Sequence, residues 1–397
     1  MVAPKNSKEP LIHITKRGEL PAKKALLIRL SAVLSGLLLC SFICSILFDG
    51  ANPFNVILNL VSGNFGTPRR IWIMLRDTSL LLLVGLALLP AFKMKFWNLG
   101  GNGQILVGAL ATIACMYYMG GTNAAESKVP NGVIVLCSVV LSVAFGALWA
   151  VIPAIFKSYF KTNESLFTLM MNYIASGLVA YFISVWDKSG HGKIDPLPHG
   201  RLPVLGNAFI LSILVAALVT AAMFVYNKYS KHGFEVAVVG ESENTARYVG
   251  MDVKKVVIRT MALSGALCGL VGLLLAGSME YAVSDTTAKN MGFTAIMVAW
   301  LAKFNPLVMV LTAFFVTFVS KGMSQVQTAF GITNDAASNI MVGIIFFCVI
   351  GCEFFISYKV HIRGVKKPLF KKATPTGNRS CQTQETVSYT HLTLPTT

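Results

Sequence analysis

The chain has 397 residues, of which 54% are hydrophobic and only 13% charged, with 34 Lys and Arg against 17 Asp and Glu and a formal net charge of +17. Its mean hydropathy of +0.65 argues against a soluble enzyme with an ordinary charged surface. The 25 Phe residues exclude a disordered composition, and eight Cys spread over this length do not make a disulfide scaffold.

A helix needs ~20 mainly apolar residues to cross the hydrocarbon layer. In chain order such windows fall at 30–48, 71–92, 99–118, 133–152, 166–183, 209–226, 258–279, 292–301, 307–320 and 340–358. Window 71–92 carries Arg76 and Asp77, and window 99–118 opens on glycines. Lys303, Asn305 and Pro306 divide the eighth window from the ninth, which read as two spans or one broken helix. The fold class expected is an all-α integral membrane protein with about ten transmembrane helices.

Lys and Arg in short loops are retained on the cytoplasmic side. The first 29 residues hold Lys5, Lys8, Lys16, Arg17, Lys23, Lys24 and Arg29, and 359–379 holds a second basic cluster, so both termini read as cytoplasmic. With ten spans, the loops bearing Lys93 and Lys95, Lys157 and Lys161, Lys303, and the long stretch 227–257 fall on that side too. The organisation expected is a basic tail (1–29), a membrane domain (30–358) and a second basic tail (359–379). The Thr-rich residues 380–397 resemble translated adaptor read-through and are expected to be non-native. The basic balance thus reflects membrane topology and lipid contact, not nucleic-acid binding.

Seven of the eight cysteines lie inside apolar runs, where a thiol packs as a small hydrophobe, and no metal-ligand set accompanies them. Gly192-Lys193 is followed by Ile194, not the Ser or Thr of a phosphate-binding loop, so the chain carries no ATPase site of its own. No His-Glu-x-x-His occurs. Acids within predicted spans are Asp77 and Glu353, read as paired or snorkelling; a proton-driven carrier normally has more.

Two regions stand out. In Phe96-Trp97-Asn98-Leu99-Gly100-Gly101-Asn102-Gly103-Gln104, amides and glycines interrupt an apolar passage. Unwound backbone at membrane depth is tolerated only against protein or a watery cavity, so this is either a solute-facing break or an interfacial turn. In the loop 227–257, Ser242 can cap a helix, Glu243 suits its first turn, and Gly250 can take the left-handed conformation that ends it. That predicts a two-turn helix over 243–249, with Asp252 capping the next helix through Lys254 and Lys255. So short a helix must pack on its own protein or in a partner's groove. Gly265, Gly269 and Gly272 lie at i, i+4 and i+7, a small-residue face for close helix packing.

On these residues the chain resembles the permease subunit of an ATP-binding cassette importer, in the branch serving nucleosides, simple sugars and branched-chain amino acids, most closely the nucleoside type. The family pattern Phe-Asn-Ile-Gly-Ala-Glu-Gly-Gln aligns with 97–104, and a cytoplasmic pattern aligns with Gly240, Glu241, Ala246, Arg247, Tyr248 and Gly250. Asn163-Glu164, Met171-Asn172-Tyr173-Ile174, Gly292-Phe293 and Asn305-Pro306 agree as well, whereas Asn102 stands where the family has Glu.

The resemblance implies a bacterial plasma-membrane, multi-pass transport subunit with no cofactor of its own, ATP and Mg belonging to a separate ATP-binding subunit. It implies a second permease subunit, identical or related, and an extracytoplasmic solute-binding lipoprotein. Asn98, Gln104, Asn172 and Phe293 are then expected along the substrate pathway. Gly240, Glu241, Glu243, Ala246, Arg247, Tyr248 and Gly250 are expected to form the coupling element. The rival classes are a stand-alone carrier or channel, and a membrane enzyme, for which no nucleophile, base or metal set is visible.

Overall fold

The computed structural model describes residues 12–16, 22–47, 52–122, 127, 129–187, 192–204, 206–331, 340, 342–348, 350, 351, 354 and 358–362. The rest of the basic tails, residues 380–397 and Glu353 lie outside the described residues. The chain divides into two units, Met1–Leu20 with Phe355–Thr397, and Pro21–Phe354.

In the first unit, β1 (Ile12–Lys16) pairs antiparallel with β2 (Tyr358–Ile362), Ile12 facing Ile362 and Lys16 facing Tyr358. The all-α expectation fails for this ribbon. Ile-His-Ile-Thr-Lys and Tyr-Lys-Val-His-Ile alternate with period two, as a strand does, but each is only five residues long and sits in or beside a basic tail.

The second unit is helical: α1 (Ala22–Leu47), α2 (Pro53–Phe65), α3 (Pro68–Lys93), α4 (Gly101–Cys115), α5 (Asn131–Phe160), α6 (Glu164–Trp186), α7 (Ile210–Tyr229), α8 (Lys231–Glu241), α9 (Glu243–Tyr248), α10 (Val253–Leu275), α11 (Met291–Leu301) and α12 (Pro306–Ala329). Residues 340, 342–348, 350, 351 and 354 are also helical. π-Helical turns extend α4 over Met116–Gly120 and α10 over Ala276–Glu280.

Local chemistry sets the helix starts. Asn52, Thr67, Asn163 and Asn305 accept first-turn N–H groups, and proline opens α2, α3 and α12, where its missing N–H costs nothing.

Among the described residues, seven helices are long and apolar enough to cross a membrane: α3, α4 with its π turn, α5, α6, α7, α10 with its π turn, and α12. α1 has 26 residues, enough for a full span, and α11 has 11, which is fewer than one needs. Arg76 and Asp77 lie within α3 and pair as expected, Arg76 Nε donating to Asp77 Oδ1 at 2.8 Å, while Lys321 Nζ reaches Asp77 Oδ2 at 2.5 Å.

α3 and α10 form the centre. Residues 80–89 of α3 are all buried, and α10 packs on α3, α4 and α5. A Cβ on Gly265 would strike the Gly146 carbonyl, one on Gly269 the Ser142 carbonyl, and one on Gly272 the Ile105 carbonyl. The small-residue face of α10 is thus a helix-packing face, as the spacing predicts.

Candidate functional site

The chain leaves α3 through Met94 and Lys95, the latter at φ 61°, and runs non-helically over 96–100 before α4 starts. One side of this break is buried in protein, with Phe96 4% exposed and Asn98 fully buried, while Trp97 between them is exposed. Part of its backbone bonds locally, Phe96 N–H to Ala91 O and Asn98 N–H to Phe96 O, both at 2.9 Å, and part is satisfied by side chains from α6. Leu99 N–H donates to Thr168 Oγ1 (3.1 Å), and Asn172 Nδ2 donates to Leu99 O (2.8 Å) while its Oδ1 accepts Gly103 N–H (2.8 Å). α4 therefore has no capping side chain at Gly100 and is capped across the bundle by α6.

Asn98 and Gln104 meet behind this segment. Gln104 Nε2 donates to Asn98 Oδ1 at 3.2 Å, Gly100 N–H reaches the same oxygen at 3.0 Å, and Asn98 Nδ2 donates to Ser264 Oγ of α10 at 3.2 Å. Both side chains are buried, away from the cleft that Asn102 and Asn172 line. Asn102 plays the complementary part toward α11: its Oδ1 accepts Gly292 N–H at 2.8 Å and its Nδ2 reaches Asn290 Oδ1 at 3.5 Å. Gly292 is needed there, since a Cβ would stand 2.6 Å from Asn102 N.

Asn102 and Asn172 flank a cleft of about 300 Å³ whose walls also include Tyr173, Lys289, Asn290 and Phe293. Of the four expected pathway residues, Asn172 and Phe293 reach it. Phe293 is 39% and Tyr173 69% exposed, so two aromatic faces are offered. Lys289 at the rim pairs with Glu280 at 3.0 Å. Tyr173 and Asn102 lie within the quoted motifs but were not assigned to the pathway; Thr168 carried no signal, and Ser264 only that of a small residue beside the glycine face, because their hydrogen-bond partners are 69 and 166 residues away.

The second region is a protruding corner. Ser242 accepts Thr245 N–H at 3.3 Å, α9 runs Glu243–Tyr248, Gly250 takes φ +80°, and Asp252 accepts Lys255 N–H at 3.3 Å, as the residue types predict. The side-chain bond from Lys255, with its backbone N–H, holds the Asp252 carboxyl below its ordinary value. α8 was not foreseen: Lys231–Glu241 was read as part of the loop 227–257, whereas Ser230 Oγ accepts Gly233 N–H at 2.9 Å and starts a helix there.

Gly240 packs so closely on the Lys93 carbonyl that a Cβ would collide with it. Ala246 is fully buried, and Glu241, Glu243, Arg247 and Tyr248 point outward, Tyr248 at 93% exposure. Arg247 lies 3.5 Å from Glu243.

The buried side of the corner and the start of the break share one apolar cluster. Met94 and Phe96 pack with Val236, Val239, Ala246, Val253, Val256, Val257 and Met261. The corner and the residues that lead into the broken segment are thus packed in one continuous cluster.

Residues 71–350 match the family described as branched-chain amino acid transport system / permease component. The chain is 31% identical over 334 residues to the guanosine ABC transporter permease protein NupP of Bacillus subtilis, covering 81% of this chain and 92% of that one. It is 28% identical over 299 residues to the glucose ABC transporter permease protein TsgB13 of Haloferax volcanii (71% and 76%). It is 26% identical over 353 residues to the nucleoside ABC transporter permease protein NupB of Lactococcus lactis (85% and 92%).

Proposed function

Because the chain belongs to the branched-chain amino acid transport system / permease component family and is the membrane-spanning permease subunit of an ABC importer, we propose that its solute is a nucleoside and that α9 couples it to a separate ATP-binding subunit. It is a multi-pass membrane protein acting in a complex.

The observation that carries the coupling assignment is the cluster joining Ala246 of α9 to Phe96 at the head of the break. α9 presents Arg247, Tyr248 and Val249 to a partner while Ala246 anchors it. Closure of the ATPase pair displaces α9, the shared cluster carries the motion to 96–104, and the amide contacts to α6 and α11 re-form around a cleft open to the other side. ATP and Mg act on the partner; this chain performs no chemistry on the solute.

Nucleoside specificity rests on the names of two relatives and on the cleft: Phe293 and Tyr173 offer stacking faces worth ~1–3 kcal/mol per base in other settings, and amides suit ribose hydroxyls. Asn172 and Phe293 line the pathway, with Asn98 and Gln104 stiffening the break from behind. A simple sugar is the alternative solute, as TsgB13 is named for glucose. The topology adopted is ten spans with cytoplasmic termini, α11 completing one crossing together with 281–290. A second permease copy or relative and an extracytoplasmic binding lipoprotein complete the importer.

The test is uptake in proteoliposomes containing the purified complex and its binding protein. Radiolabelled guanosine should accumulate only with internal ATP; accumulation of glucose but not guanosine would replace the nucleoside assignment.

A further inference from the structure

α2 and α12 cross so closely that a Cβ on Gly63 would stand 2.5 Å from Gln325 Cβ, and one on Gly322 2.5 Å from Leu60 Cγ. Beside this crossing, where α3 begins and α12 ends, lies a cleft of about 180 Å³ lined by Asn64, Arg70, Lys321, Ser324, Gln325 and Thr328, among others. Two cations and four neutral polar side chains face it, and no carboxylate lines it. Arg70 spends one N–H on Ser62 O (3.1 Å), leaving the rest of its planar fork for an anion. Lys321 reaches Asp77 Oδ2, but Asp77 is shared with Arg76 at 2.7 Å, so this one carboxylate does not balance both Lys321 and Arg76.

Asn64 adds an independent sign of a ligand. It is fully buried, and its Nδ2 donates to both Leu60 O and Phe318 O at 2.9 Å, which fixes the amide so that Oδ1 faces the other way. That oxygen accepts no hydrogen bond among the described residues. A buried acceptor in this position calls for a donor, which a bare phosphate dianion does not supply. Next to it, α2 exposes Phe54, Leu58, Val61 and Phe65, an apolar face suited to acyl chains. Arg70 is the third residue of α3, and Thr328 stands one residue before the end of α12, so the cleft sits at headgroup level.

We propose that the cleft between α2, α3 and α12 binds the headgroup of an anionic, hydroxyl-bearing phospholipid of the phosphatidylglycerol kind. The phosphodiester lies against Arg70 and Lys321, and a glycerol hydroxyl donates to Asn64 Oδ1.

Native mass spectrometry of the purified full-length chain, titrated with palmitoyl-oleoyl lipids, tests it. Phosphatidylglycerol should bind about tenfold more tightly than phosphatidylcholine, and phosphatidylmethanol, which keeps the charge but lacks the hydroxyl, should fall between. The pair Arg70→Gln and Lys321→Gln should erase the preference for phosphatidylglycerol. Equal retention of phosphatidylglycerol and phosphatidylcholine by the wild type would overturn the proposal whether or not the variants fold. So would displacement of the lipid by soluble glycerol phosphate, which would mark a free-phosphate site, or an unchanged preference in folded variants.

Discussion

Asn172 Oδ1 accepts the Gly103 N–H at 2.8 Å, fastening the first turn of α4 to the middle of α6. The same side chain donates to Leu99 O, so one amide closes two backbone groups that helix geometry leaves open. Asn172→Ala should therefore cost about 1–3 kcal/mol of stability by stranding a buried N–H and C=O. A thermal melt of the purified protein checks this; an unchanged midpoint would show that the latch is not needed.

Phe293 makes no such latch and stands 39% exposed at the cleft. Phe293→Ala should raise the KM for nucleoside uptake by about tenfold, equivalent to the loss of one stacking contact, and leave the melting temperature nearly unchanged. A fall in stability with an unaltered KM would make Phe293 a packing residue.

Gly269 touches the carbonyl side of α5 with no room for a Cβ. Gly269→Leu should separate α5 from α10 and abolish the folded complex, the upper end of the ~1–3 kcal/mol usual for overpacking being a minimum here. Gel filtration of the solubilised protein reads the outcome, and a normal yield would contradict the close approach.

His232 lies on α8, where Tyr226 Oη stands 2.6 Å from its Nδ1. Burial holds its imidazole below the ordinary 6.5, Arg259 adding to the depression while Glu235 and the Val256 backbone oppose it. Since the folded protein favours the neutral ring, the stabilisation is complete above the unfolded value of 6.5 and is lost as pH falls through the folded one. Exchange of the amides over 226–236 should slow less from about pH 7.5 to about pH 5.5 than the intrinsic chemical rate does, an excess over the intrinsic trend that reports lost protection. The excess should vanish in His232→Gln; its persistence there would assign the effect to another group.

How much of this was legible beforehand depended on sequence distance. The caps Ser242 and Asp252, the left-handed Gly250 and the glycine face of α10 follow from neighbours within a few residues, and the structure has each as the residue types predict. The long apolar windows became α3, α5, α6, α7, α10 and α12 with shifted ends, because capping, not hydropathy, sets where a helix starts. What sequence could not disclose was which amides are free to meet a solute. Asn98, Gln104 and Asn172 look alike as polar breaks, yet the first two are buried in a network with Ser264, whereas Asn172 also reaches the cleft. The β1–β2 ribbon joins segments more than 340 residues apart, beyond any local pattern.

The most direct measurement is the ratio of ATP hydrolysis to nucleoside uptake in proteoliposomes, compared between wild type and Tyr248→Ala. Tyr248 is 93% exposed and buries nothing within this chain, so the variant should insert and assemble normally. The account predicts that hydrolysis continues while uptake falls at least tenfold, about 1.4 kcal/mol or more of lost coupling. Wild-type uptake per ATP in that variant would contradict the role given to α9.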